Sequence, residues 1–290
     1  MSTPEVISTI TALQHRLGQA QRRSALVGGD TRIVLVPTMG ALHAGHLALV
    51  RRAHALGEIV VVSIFVNPLQ FGAGEDLERY PRTLDADLAT LADEKVPFVF
   101  APSAGEMYPD SANGTRVTAG PIGSAYEGAA RPGHFDGMLT VVAKLLGIVA
   151  PDTAVFGQKD GQQVFLVQSM VADLNLRSAI EVVETVREPS GLALSSRNRY
   201  LDDAENTAAQ ALFAGLNAAA LAALAGPVVA VAAAHARIAA QPLVKLDYLV
   251  IVHPQTFLPV DDAYRGPARM LVAARVGTTR LIDNVPLALG

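Results

Sequence analysis

The sequence predicts an α/β protein, a doubly wound, Rossmann-like parallel sheet domain followed by a smaller α+β C-terminal lid domain. Three observations lead there. Short runs that are apolar throughout alternate with helical patterns up to about residue 186, as strands buried on both faces do. Composition then shifts to an alanine-rich helical tract over 203–240. Three strand-like runs of a small antiparallel sheet close the chain. The boundary is placed at the Glu188-Pro189-Ser190-Gly191 turn, giving domains 1–187 and 188–290.

The elements follow in order. Val6, Ile10, Leu13 and Leu17 recur at helical spacing, which predicts an amphipathic helix over 4–24. RIVLVP (32–37) is a first buried strand, and a helix follows His46. EIVVVSIFV (58–66) is a second strand, LDADLATLADEK (84–95) a helix and VPFVFAP (96–102) a third strand. GMLTVVAKLLGIVA (137–150) is a buried helix, TAVFG (153–157) a strand, GQQVFLVQSMVADL (161–174) a helix and AIEVVETV (179–186) a strand. KLDYLVIV (245–252), ARMLVAARV (268–276) and TRLIDNV (279–285) form the small sheet.

Several function classes are excluded. The chain has 290 residues, a net charge of −4 and no long basic run, so no nucleic-acid partner is expected. It has no cysteine, which removes thiolate catalysis and cysteine metal sites. Mean hydropathy is +0.31. The apolar run that comes closest to a membrane span, 137–150, is too short and contains Lys144. MSTPEVISTITALQHRL carries charges and no continuous apolar core, so it is not a signal peptide, and a soluble cytoplasmic protein is expected.

In a doubly wound sheet ligands bind at the C-terminal strand ends. TMGALHAGH follows the first strand, NPLQF the second, GQKD the fourth and LSSRN the fifth. HAGH places His43 and His46 around Gly45 at a helix N-terminus, where backbone amides and imidazoles suit phosphate. Two surface histidines beside a turn would look the same in isolation. In GLALSSRN, serine hydroxyls precede Arg197, whose guanidinium matches phosphate oxygens; a helix cap beside a surface arginine is the plainer alternative. In GQKD, Lys159 suits phosphate and Asp160 a ribose hydroxyl, and a simple helix start is equally compatible.

HAGH with the downstream LSSR resembles the HIGH and KMSKS pair of the nucleotidyltransferase superfamily. PTMGALHAGH, SIFVNPLQF, YPRT, RPGHFDGMLTVV, GQKDGQQ, SSRNRYL and GTTRLIDN resemble the pantoate–β-alanine ligase (pantothenate synthetase) family. The resemblance implies a dimeric, Mg²⁺- and ATP-dependent ligase. It joins pantoate to β-alanine through a pantoyl adenylate and releases AMP and pyrophosphate; a related adenylyltransferase is the alternative. By resemblance ATP is contacted by Met39, Gly40, Ala41, Leu42, His43, Ala44, Gly45 and His46. The remaining ATP contacts are Gly157, Gln158, Lys159, Asp160, Val186, Leu194, Ser195, Ser196 and Arg197. Gln70 and Gln163 match the glutamines that hold pantoate, and Asn67 lies in the substrate floor.

His43, His46, Lys159 and Arg197 are the expected catalytic residues, with His46 delivering a proton to departing pyrophosphate. No protein metal ligand is assigned, although Asp85 and Asp87 are candidate Mg²⁺ contacts. Arg131 and His134 either meet a substrate anion or merely set the entry to the 137–150 helix. The sequence departs from the family's commoner pattern with Gln158 in place of Glu, Gly161 in place of an aromatic and Leu194 in place of Met.

Overall fold

Ile33–Val36 is buried without a break, as a strand covered on both faces requires. The structure, a computed structural model, describes residues 3–72, 77–110 and 114–290. The chain divides into two compact units, Met1–Gly157 with Leu166–Val183, and Gln158–Phe165 with Glu184–Gly290.

The first unit runs β1 (Glu5–Ile7), α1 (Ile10–Leu26), β2 (Ile33–Thr38), α2 (Ala44–Leu56), β3 (Ile59–Ile64), α3 (Leu84–Asp93), β4 (Phe98–Phe100), α4 (Ala104–Met107), α5 (Glu127–Ala130), α6 (His134–Val149) and β5 (Thr153–Gly157). Helix α7 (Gly161–Asp173) and β6 (Ala179–Val183) complete it, the first turn of α7 being assigned to the second unit. The sheet is parallel with order β1-β4-β3-β2-β5-β6. Strand order reverses between β2 and β5, so TMGALHAGH and Gly157 leave the sheet at its switch point. Val34, Val36, Val60, Val62 and Val155 of the sheet pack with Leu49, Val50 and Ala53 of α2.

The helix expected over 4–24 is corrected at its start. Glu5–Ile7 is an edge strand paired with Phe98–Phe100, and the helix begins behind Thr9, whose Oγ1 accepts from the Ala12 N–H. Leu13 and Leu17 are buried whereas Val6 is 44% exposed, so Val6 fitted the helical spacing only by coincidence.

The second unit contains α8 (Asp203–Ala222), α9 (Pro227–Ala239) and the antiparallel sheet β7 (Val244–Val252), β8 (Gly266–Val276) and β9 (Thr279–Leu289), in that order. Asp202 caps α8 in a reciprocal box with Glu205. Ala208, Leu212, Leu216 and Ala219 of α8 pack with Ala234 and Ile238 of α9 and with Met270, Val272 and Ala274 of β8. Small residues let the helices approach: a Cβ on Gly215 would lie 2.7 Å from Ile238. The segment Asp203–Ala225 contains an 18-residue window of mean hydropathy 1.6 and is, by length and composition, long and apolar enough to cross a membrane. This corrects the expectation that 137–150 comes closest. Its buried face is part of the packed core just described.

Candidate active site

In the first unit candidate residues sit on the turn after β2. Thr38 Oγ1 donates to the Ser63 carbonyl at 2.7 Å and accepts from the Gly40 N–H at 3.2 Å. Gly40 and Ala41 both have left-handed backbone, with φ of 83° and 51°. For alanine that conformation costs about 1–2 kcal/mol. Asp87 offsets it from the first turn of α3. Its Oδ2 accepts from the Ala41 N–H at 3.0 Å and its Oδ1 from the Leu42 N–H at 2.8 Å. Thr83 Oγ1 adds a bond to Oδ2 at 3.1 Å. Asp87 is 4% exposed and both oxygens are engaged, so the candidate Mg²⁺ contact is instead the anchor of this loop. Asp85 is exposed on the same turn.

The two histidines cap α2 reciprocally. The Gly45 N–H donates to His43 Nδ1 at 3.2 Å, and the His43 N–H donates to His46 Nδ1 at 3.3 Å. The rings lie 4.1 Å apart. An Nδ1 that accepts from a backbone N–H carries no proton, so each neutral imidazole has its hydrogen on Nε2. The His46 N–H is taken by the His43 carbonyl at 2.8 Å. The amides of Ala41, Leu42, Gly45 and His46 are therefore engaged within the protein, and the imidazoles become the donors of this turn.

Asn67 and Gln70 lie on the 3₁₀ turn after β3, nearly buried. Tyr108 O–H donates to Asn67 Oδ1 at 2.9 Å, and Asn67 Nδ2 donates to Gln70 Oε1 and to the Gly137 carbonyl, both at 3.0 Å. Because Gln70 Oε1 is an acceptor here, its Nε2 points the other way, 3.1 Å from Met39 Sδ. Gly137 permits the approach: a Cβ there would sit 2.1 Å from the Leu69 carbonyl oxygen. His134 and Arg131 converge on the Gln70 carbonyl, through His134 Nδ1 at 2.8 Å and Arg131 Nη2 at 3.3 Å. Arg131 Nη1 also meets His134 Nε2 at 3.0 Å; since arginine only donates, His134 carries its hydrogen on Nδ1. Burial pushes the Tyr108 phenol up to about 12, Arg116 partly opposing, so it remains a donor.

The remaining predicted site residues, except Gly157, lie in the second unit. Gly157 ends β5 opposite Val183. Lys159 Nζ is 3.7 Å from Asp160 Oδ2. Gln163 is half-buried in the first turn of α7. The Leu194 N–H donates to the Val186 carbonyl at 3.0 Å, closing a hairpin around Gly191. Ser195 caps the short 3₁₀ helix that carries Arg197, its Oγ accepting from the Arg197 N–H at 3.2 Å.

Sequence reasoning did not find the anchoring role of Asp87, because an acidic pair at a helix start has an ordinary explanation. It left Arg131 and His134 open, and they contact Gln70. Among the described residues there is no group of three or more His, Asp or Glu side chains that could hold a metal ion.

Residues 5–286 match the family described as pantoate-β-alanine ligase. The pantothenate synthetase of Leifsonia xyli subsp. xyli (strain CTCB07) is 59% identical over 287 residues, covering 98% of this chain and 100% of that protein. That of Acidothermus cellulolyticus (strain ATCC 43068 / DSM 8971 / 11B) is 55% identical over 269 residues, 91% and 88% of the two chains. The crystal structure of pantothenate synthetase from Thermus thermophilus aligns with a TM-score of 0.89 at 45% identity, covering 97% and 98%. The pantoate-β-alanine ligase of Francisella tularensis, complexed with β-γ ATP and β-alanine, aligns with a TM-score of 0.78 at 34% identity, covering 97% of each chain. The chain belongs to the pantoate–β-alanine ligase family.

Proposed function

We propose that the protein condenses pantoate with β-alanine using ATP, through a pantoyl adenylate, releasing pyrophosphate and AMP. The observation that carries this reading is the pair of Nε2–H imidazoles fixed by reciprocal capping at the switch point of the sheet. Family membership and the relative solved with an ATP compound and β-alanine support it.

In the first step the pantoate carboxylate attacks the α-phosphorus of ATP. A carboxylate is ionised at neutral pH and needs no base. It needs charge relief, because it approaches a polyanion. In this reading His43 and His46 with Met39–Gly45 contribute ATP contacts from the first unit. Gln158–Asp160, Val186 and Leu194–Arg197 contribute them from the second, with Lys159 and Arg197 as the cations. Mg²⁺, when bound, would supply further charge relief at the phosphates, and no side chain is assigned to it. Proton delivery by His46 would require Nδ1 to be protonated and to give up the His43 N–H, so both imidazoles are assigned as hydrogen-bond donors.

Gln70 and Gln163 hold pantoate with neutral amides, which orient the nucleophile without neutralising it, and Asn67 supports Gln70. In the second step the β-alanine amine attacks the acyl adenylate and AMP leaves. Taking the lysine value of about 10.4 for that amine, its neutral form costs roughly 4–5 kcal/mol at pH 7. The same reading makes the enzyme a cytoplasmic homodimer. The test is ATP–pyrophosphate isotope exchange with pantoate present and β-alanine absent. Pantoate-dependent exchange, followed by AMP release on adding β-alanine, is expected. AMP formation only with all three substrates present would refute the free adenylate, and no turnover would refute the assignment.

A further inference from the structure

GTTRLIDN ends on two adjacent buried polar residues that the proposed chemistry does not use. Asp283 and Asn284 of β9 are 5% and 4% exposed. Asn284 Nδ2 directs both hydrogens to backbone, donating to the carbonyls of Gln158 and Lys159 at 2.9 Å each. Its Oδ1 accepts from Arg269 Nη1 at 2.6 Å. Asp283 receives Arg187 in a two-point bridge at 2.6 and 3.0 Å. Arg187 Nη1 also donates to the Gly191 carbonyl at 3.1 Å, and its guanidinium lies 4.1 Å from the centre of the Phe213 ring. Gly191 is the tip of the hairpin that leads into Leu194–Arg197. A Cβ on Gly191 would strike Phe213 at 2.2 Å, so glycine lets the tip pack against that ring.

We propose that Asn284 and Asp283 are positioning residues, which hang the Lys159 turn and the Ser195–Arg197 loop on adjacent residues of one strand. The proposal rests on the reading that these two segments contact ATP. Only an amide fits position 284. It offers two N–H groups to two carbonyls and a carbonyl to an arginine, whereas a carboxylate would set an anion 2.9 Å from both backbone oxygens. The arginines hold the framework, Arg187 through Asp283 and Arg269 through Asn284. Gly161 belongs to the same arrangement. A Cβ there would lie 3.1–3.4 Å from the Asn284 amide, so glycine leaves the tether undisturbed.

The test compares full-length Asn284→Asp, Asn284→Ala and Asp283→Asn with the unsubstituted protein. ATP KM and kcat are read from isotope exchange well below each variant's Tm. Hydrogen–deuterium exchange is followed over 158–161 without ligand. The expected result for N284A is faster amide exchange at 158–161 and an ATP KM raised about ten-fold, the order of one lost net hydrogen bond or more. N284D is worse than N284A in ATP KM, because it repels what alanine merely releases. D283N raises ATP KM by a smaller factor. A purely structural Asn284 would lower Tm in both substitutions and leave ATP KM within about two-fold in the folded enzyme; that result overturns the proposal. Unchanged exchange at 158–161 in N284A overturns it as well. Should N284D not fold, N284A and Gly161→Ala, which presses on the same amide, carry the measurement. If amide exchange quickens while the unsubstituted protein shows no pantoate-dependent turnover, the tether stands and the functional reading fails.

Discussion

Replacing Asp87 by Asn tests whether the loop carrying the histidines is held by a buried carboxylate. Asp87 accepts from Ala41 and Leu42 N–H through different oxygens, and Ala41 is 2% exposed. An amide presents one oxygen and one NH₂, so in either orientation one backbone N–H faces a donor. A hydrogen bond to a charged group contributes about 1.5–3 kcal/mol, and a buried donor left unpaired costs about 1–3 kcal/mol. About 3 kcal/mol of destabilisation is expected for D87N. At roughly 2–4 °C per kcal/mol for a unit of this size, Tm falls by about 6–12 °C. Thr83→Val removes only the hydroxyl bond at 3.1 Å and is expected to cost about 1 kcal/mol. Calorimetry measures the stabilities, and isotope exchange reads the site. Because Ala41 needs its left-handed φ of 51° for the turn to reach His43, kcat/KM for ATP in D87N falls by at least about ten-fold even in the folded enzyme. A D87N protein with unchanged Tm and unchanged ATP kinetics would refute the anchor.

Four further substitutions, at three positions, separate support from chemistry. His43→Asn keeps an oxygen for the Gly45 N–H but loses the Nε2–H, so it should retain stability and lose activity; His43→Ala should lose activity and also about 1 kcal/mol of stability, both measured by calorimetry and exchange assay. Gly137→Ala drives a methyl to 2.1 Å from the Leu69 oxygen, so more than about 2 kcal/mol of destabilisation and a raised pantoate KM are expected from denaturation and kinetics. Tyr108→Phe removes the donor to Asn67 and should raise pantoate KM. Since burial raises the Tyr108 phenol from 10.0 to about 12, its stabilisation is complete below pH 10 and is lost as pH climbs towards 12. The Tm difference between wild type and Y108F should therefore narrow above pH 10, and a constant difference from pH 8 to 11 would contradict this.

The sheet was legible because its strands are apolar throughout and separated by helices of ordinary length. Edge strand β1 was not, because three residues carry no period and Val6, Ile10, Leu13 and Leu17 happen to satisfy a helical one. The motifs pointed to the side chains at the strand ends, but not to what holds them. Asp87 is 46 residues from Ala41, and Asn284 is 125 from Lys159. Such pairs leave no local pattern, since the partner of each is a backbone group that every residue possesses. HAGH shows the same limit from the other side. Its spacing suggested ligand-binding amides at a helix start. The i, i+3 separation instead lets each imidazole take part in a capping box, so the His43 and Gly45 amides are consumed and the side chains gain a defined tautomer.

That tautomer bears on how an anion can be activated beside a polyanion. A cation close to the pantoate carboxylate would stabilise it more before reaction than in the transition state, where its charge is passing into the new bond to phosphorus, and this lowers kcat. In the proposed function the first unit would meet this requirement with neutral donors, the two Nε2–H imidazoles and the Gln70 amide, whose Oε1 is held by Asn67 and whose Nε2 faces Met39 Sδ. Lys159 and Arg197, assigned to the phosphates, lie on turns whose backbone is tied down by Asn284, Arg187 and Ser195. Positive charge held on a fixed frame acts where negative charge develops, and it need not reorganise as the phosphorus is attacked. The proposed function therefore assigns neutrality to the nucleophile and charge to the leaving group. Gln70→Lys, which adds a cation where the proposed function places pantoate, should lower kcat more than it alters pantoate KM; a variant with wild-type kcat would show that neutrality at this position does not matter.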